Sequence, residues 1–158
     1  METKDKFYLA GLLQRKGLYL SSAESLTGGM FSSEICSVPG ASNFFKGGMV
    51  TYLNEVKELL GVKKETLEKY GAVSKNCAEE MSYSAAKFFK SDIAISFTGN
   101  AGPSVMENKK VGEVYIGITY LNQTFTYACS FEGDRNQIRK ASVDTGIELL
   151  SDLLEEIL

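Results

Sequence analysis

Leu18-Tyr19-Leu20-Ser21-Ser22-Ala23 runs into Glu24-Ser25-Leu26-Thr27-Gly28-Gly29. The first part is short, uncharged and preceded by Gly17, the pattern of a buried strand. The glycines then break the extended run, and residues 30–35 read as a helix that starts at the turn. A strand feeding a helix through such a turn is the building unit of α/β domains. In those domains, sites gather where strand ends meet helix starts.

Outward from this unit, apolar residues at Phe7, Leu9, Ala10, Leu12 and Leu13 predict a helix over residues 4–16, stopped by Gly17. Pro39-Gly40 closes the unit downstream. Residues 44–53 read as a strand with a bulge near Gly47-Gly48. Asn54 is expected to cap a short helix over 55–60, and a second short helix follows over 64–70. Ser74 caps a longer helix that turns Cys77, Ala78, Met81, Ala85 and Phe88 to one face. Residues 92–97 form a buried strand ending in Thr98-Gly99-Asn100-Ala101-Gly102-Pro103, and the polar segment 104–110 after it is expected to be mobile. Residues 111–120 and 124–131 read as a hairpin. A last helix is expected to face inward through Ile138, Ala141, Thr145, Leu149, Leu153 and Ile157. The remaining Met and aromatic positions read as core. The sum is one α/β domain over residues 1–158, a mixed sheet with helices packed on its faces.

Composition narrows the function. With 158 residues, 44% hydrophobic and 23% charged, the chain carries enough apolar surface for a real core. It contains no histidine, which excludes Ser-His-Asp and Cys-His catalysis and every His-containing metal site. Acid-base chemistry must then fall to Lys, Tyr, Asp, Glu or Cys. The net charge is −3 and the lysines are scattered among acids, so no basic stripe points to nucleic acid. Cys36, Cys77 and Cys129 are odd in number and widely spaced, as reduced thiols are. The first residues are too polar for a signal peptide or membrane span, so the expected location is the cytoplasm.

Two segments place strand ends against turns, 23–29 and 97–103. In the first, Ser25 would expose its hydroxyl while the N–H groups of Thr27, Gly28 and Gly29 face a developing oxyanion or a phosphate. The simpler reading is a helix cap. Lys57 follows a strand by a few residues. Turned inward and neutral, it would deprotonate a serine, with Tyr52 relaying a proton or positioning the amine. That requires lowering its pKa by roughly 3 units; the commoner arrangement is a solvated lysine paired with Glu55 or Glu58. Thr98, Gly99 and Gly102 would let backbone amides approach an anion, or form only a tight turn. Arg135 and Arg139, one helical turn apart, would grip a phosphate or carboxylate, or pair with Asp134 or Glu132.

These blocks occur in a familiar order. Ala23-Glu24-Ser25-Leu26-Thr27-Gly28-Gly29, Val38-Pro39-Gly40-Ala41-Ser42 and Val50-Thr51-Tyr52-Leu53-Asn54-Glu55-Val56-Lys57 resemble the CinA C-terminal family. So do Leu60-Gly61-Val62, Gly71-Ala72-Val73-Ser74, Thr98 to Pro103, Val111 to Tyr115, and Gly133-Asp134-Arg135 with Arg139. The resemblance implies a three-layer α/β/α sandwich and a nicotinamide-nucleotide amidase. Such an enzyme turns nicotinamide mononucleotide into nicotinate mononucleotide and ammonia, with neither cofactor nor metal. By position it makes Ser25 the nucleophile, with Lys57 and Tyr52 its catalytic partners. Thr27, Gly28 and Gly29 become the oxyanion turn; Asn54, Thr98, Gly99, Gly102, Arg135 and Arg139 hold the substrate.

It further implies the stand-alone form, and a homo-oligomer (dimer or trimer) in which Cys36, Tyr83 or Phe125 would meet a neighbour. The chain departs from the family pattern at Asn100, where an apolar residue is usual, and at Ser104-Val105, where glycine is usual. These departures motivate an alternative, a catalytically silent nucleotide-binding module. The family name suggests a third, a competence-associated interaction module.

Overall fold

The computed structural model describes residues 3–157. Among them α1 (Lys6–Lys16) opens where the Asp5 carboxylate accepts the N–H groups of Phe7 and Tyr8. Then follow β1 (Leu20–Glu24), α2 (Met30–Cys36) and, past a single 3₁₀ turn, β2 (Phe45–Val50). The chain continues through α3 (Asn54–Leu60), α4 (Lys64–Tyr70), α5 (Lys75–Phe89) and β3 (Ile93–Gly99). It ends with the hairpin β4 (Glu113–Tyr120) and β5 (Gln123–Ser130), then α6 (Arg135–Glu156).

The strands form one mixed sheet in the order β2-β1-β3-β4-β5. β1 is parallel to both β2 and β3, whereas β4 and β5 run antiparallel. The strand parity of β1 sorts its side chains. Leu20 packs into the core shared with α1, α2 and α6, and Ala23 into the core shared with α4 and α5. Two apolar cores on opposite faces make the molecule a three-layer α/β/α sandwich.

β1 is buried at every position although it holds two serines and a glutamate. Each polar side chain has a partner. Ser21 Oγ meets Ser91 Oγ at 2.7 Å, Ser22 Oγ meets Ser32 Oγ at 3.0 Å, and Glu24 reaches the start of α2. Such pairing is what allows a polar strand to sit at the centre of a sheet.

The longer helices depart from expectation in informative ways. Phe88 is 54% exposed, because α5 buries only the stripe Cys77, Ala78, Met81, Ser82 and Ala85 against the sheet. In α6 the buried stripe runs through Ser142, Val143, Gly146, Ile147, Leu150 and Leu154, not through Ala141, Thr145 and Leu149. Small residues let α6 lie close to β3, where a Cβ on Gly146 would stand 2.6 Å from the Phe97 ring. Close approach outweighed apolar size in choosing that face. Among the aromatic and Met residues, Phe31, Phe44, Phe97 and Met81 are core, whereas Phe7 and Met106 are exposed. The cap of α3 is the backbone position of Leu53, without a side-chain bond, and Asn54 is its first helical residue.

Candidate active site

Three parallel strands deliver their carboxyl ends side by side. Ser25 N–H donates to Phe97 O at 2.9 Å, and Thr51 N–H to Glu24 O at 2.8 Å, so the residue after β1 is held between Tyr52 and Thr98. Glu24 and Ser25 diverge, as alternation requires. The buried Glu24 carboxylate accepts the N–H groups of Phe31 and Ser32, both at 2.9 Å, and the Ser32 hydroxyl at 2.6 Å. It thereby caps α2 from inside the sheet. Ser25 turns to the opposite face, toward α3.

The turn after Ser25 uses left-handed backbone at Gly28 (φ +55°) and Gly29 (φ +100°). Gly28 N–H donates to Ser25 O at 3.1 Å and Met30 N–H to Thr27 O at 2.9 Å. Among the described residues, the N–H groups of Leu26, Thr27 and Gly29 make no backbone hydrogen bond. Arg139 grips this turn from behind, its Nε donating to Leu26 O at 2.9 Å and its Nη2 to Thr27 O at 3.1 Å. The structure therefore spends Arg139 on the backbone that follows the serine.

Lys57 is 1% exposed, not a solvated partner of Glu55 or Glu58. Its Nζ lies 2.9 Å from Ser25 Oγ and donates to the Tyr52 carbonyl at 2.7 Å. Burial pushes its pKa below the ordinary lysine value, while Cys77, when ionised, and Glu107 act in the opposite sense. Burial also pushes the Cys77 thiol up to about 12, so this neighbour is neutral near pH 7. The Tyr52 phenol points away from the amine and accepts from Arg135 Nη2 at 2.8 Å. It is the carbonyl of Tyr52, not its ring, that touches Lys57.

Ser25 and Lys57 open into a cavity of about 380 Å³ that also meets Leu26, Tyr52, Asn54, Thr98, Gly99 and Arg135. Of the residues expected at the site, Thr27, Gly28, Gly29, Gly102 and Arg139 do not line it. Gly102 contributes through its carbonyl, which accepts from Arg135 Nη1. Sequence reasoning missed Ala72, Ala101, Met106 and Glu107 on the wall, as well as the cap made by Glu24. An acid at the end of a strand otherwise made of small, buried residues was the available signal for Glu24.

The segment 104–110, expected to be mobile, forms part of that wall. Asn100 braces it: Nδ2 donates to Lys109 O at 3.1 Å and Oδ1 accepts Gly102 N–H at 3.0 Å. A larger groove of about 810 Å³ beside Tyr83, Lys87 and Phe88 holds none of the expected site residues. Among the described residues no three His, Cys, Asp or Glu side chains converge as a metal-ligand group, and no helix is long and apolar enough to cross a membrane.

A buried amine with a weakened hold on its proton, in contact with a hydroxyl, has the makings of a base and nucleophile pair. Comparison with known proteins gives this pair a lineage. The family model of the CinA C-terminal domain matches residues 3–154. A CinA-like protein of Petrotoga mobilis is 46% identical over 150 residues, covering 94% of this chain and 37% of that protein. The chain thus spans about a third of the length of the curated relatives it matches. A solved CinA superfamily protein of Klebsiella pneumoniae superposes with a TM-score of 0.94 at 31% identity, covering 99% of both chains. One from Escherichia coli gives 0.90 at 30% identity, over 96% of this chain and 92% of that one. The chain belongs to the CinA C-terminal domain family.

Proposed function

We propose that this member of the family is an amidohydrolase that converts nicotinamide mononucleotide to nicotinate mononucleotide and ammonia through a Ser25–Lys57 dyad. The observation that carries the reading is the 2.9 Å contact between a buried lysine amine and a serine hydroxyl. Neutral Lys57 keeps one N–H on the Tyr52 carbonyl and points its lone pair at the Ser25 hydroxyl. Ser25 Oγ attacks the carboxamide carbon as its proton passes to Nζ. The tetrahedral oxyanion forms beside Leu26, the residue of the turn that lines the cavity and whose N–H makes no backbone hydrogen bond. The Lys57 ammonium then protonates the departing nitrogen, ammonia leaves, and water deprotonated by Lys57 releases the acid.

The substrate assignment rests on the family resemblance and on two properties of the cavity. Its volume, about 380 Å³, lies within the usual range for small-molecule sites. Arg135 puts a guanidinium on its rim, suited to a ribose phosphate. Asn54, Thr98 and Gly99 line the same space and complete the substrate side. The reading includes a cytoplasmic homo-oligomer, dimer or trimer, which light scattering of the purified protein would detect.

The deciding experiment incubates the protein with nicotinamide mononucleotide and follows nicotinate mononucleotide by mass spectrometry, beside Ser25→Ala and Lys57→Ala. Turnover confined to the wild type is expected. A wild type that binds the nucleotide without hydrolysing it would instead make the chain a silent binding module.

A further inference from the structure

Glu107 belongs to none of the blocks that carry the resemblance, yet it lines the cavity and acts on its base. Its carboxylate reaches from the 104–110 segment to the turn before α5. There it accepts Ala72 N–H and Val73 N–H, both at 3.0 Å. Gly71 makes the approach possible: its φ is +82°, and a Cβ there would lie 2.5 Å from Glu107 Oε1. The Ala72 peptide is then pinned from both sides, since its carbonyl accepts the Thr98 hydroxyl at 2.7 Å. One carboxylate thus ties the wall segment to a peptide that is itself bonded to the end of β3.

The charges around Lys57 single out the same residue. Glu55 and Glu58 on its own helix are exposed. Cys77 on α5 is neutral near pH 7, and Arg135 engages Tyr52 and Gly102. Glu107 is left as the negative charge acting on the amine.

We propose that Glu107 is a positioning residue of the Ser25–Lys57 site, latching segment 104–110 onto the Ala72–Val73 amides as the wall of the cavity into which Lys57 opens. The role in catalysis rests on the amidase reading; the latch and the charge effect can be measured without any substrate. Glu107→Gln keeps the shape, removes the charge and can accept only one of the two amides well. The residue is exposed, so the variant is expected to fold.

In protein labelled with ¹³C at lysine Cε, the Lys57 titration midpoint should fall in Glu107→Gln. The sign follows because removing a negative charge destabilises the ammonium. Hydrogen exchange at Ala72 and Val73 should accelerate about tenfold. Glu107→Asp, which keeps the charge, should return the midpoint toward wild type. If either the midpoint or the exchange stays at its wild-type value in Glu107→Gln, the proposal fails. Wild-type hydrolysis of nicotinamide mononucleotide, assayed on the same preparation, reports separately on the amidase reading: its absence would undo that reading and leave both measurements on Glu107 standing.

Discussion

The turn after β1 and the loop after β3 leave neighbouring strands at the same edge of the sheet, yet they are held by different means. The first is tied from within. A buried glutamate caps α2, and Arg139 reaches across from α6 to the carbonyls of Leu26 and Thr27. The second is tied at its base by Asn100, which is buried, and at its tip by Glu107, which is exposed. Buried polar contacts cost much to disturb, whereas exposed ones can change without unfolding the protein. On the amidase reading the first region carries a nucleophile, which must be placed to a fraction of an ångström, and the second a substrate wall, which can vary. The positions expected to depart from the family pattern, Asn100 and Ser104-Val105, fall on the second region.

Substitutions should separate the two regions. The largest effect is expected at the dyad. Ser25→Ala and Lys57→Met should each lower kcat about a thousandfold or more, as loss of a nucleophile or its base does. Lys57→Met should leave thermal stability unchanged or higher, because an amine that is unfavourable to bury gives way to an apolar side chain. A clear fall in Tm would contradict that picture of Lys57.

The pH dependence of stability follows from the same burial. Lys57 binds its proton more weakly in the folded state than in the unfolded chain, where its pKa is about 10.4. Between the lowered value and about 10.4 the unfolded chain binds more protons, so stability rises with pH across that window. Denaturant titrations of wild type and Lys57→Met over this range should differ in slope in that sense. The catalytic rate should likewise rise with pH through the lowered value, since only the neutral amine accepts the serine proton.

Next in size is Glu24→Ala, which leaves the buried N–H of Phe31 and the part-buried N–H of Ser32 without their acceptor and the Ser32 hydroxyl with Ser22 alone. About 3 kcal/mol of stability should be lost in chemical denaturation, with kcat falling as the Ser25 turn loosens. On the substrate side, Arg135→Ala should raise KM about tenfold with kcat nearly kept, the signature of binding shared by ground and transition states. The smallest effect is expected at Asn100→Ala, about 1–2 kcal/mol of stability and a modest rise in KM. Should Asn100→Ala prove more damaging than Glu24→Ala, the contrast between a rigid nucleophile side and an adaptable wall would collapse.

Much of the fold was legible because local chemistry repeats along the chain. The buried run Ile93 to Phe97, the Ser74 cap and the hairpin around Leu121-Asn122 all carry short-range signals that the structure keeps. The buried face of α6 was legible only in part: Ile138 and Leu153 are buried as expected, whereas Ala141, Thr145 and Leu149 are not. Gly146 answers to the little room left above Phe97, which depends on the sheet beneath the helix. At the site, Ser25 could be placed at a strand end from its neighbours, whereas Arg139 reads the same whether it grips a phosphate or a peptide carbonyl.

By itself the sequence determined the order of strand, turn and helix, the absence of histidine, and hence that any proton transfer falls to groups such as lysine. These are properties of composition and of neighbours along the chain. Only the tertiary structure decided that Lys57 is buried against Ser25, that Glu24 caps α2 and that Glu107 closes the wall. A weakened proton affinity and a satisfied buried charge depend on the atoms that exclude water around a group. In this protein those atoms come from segments distant along the chain, brought together only when the sheet forms.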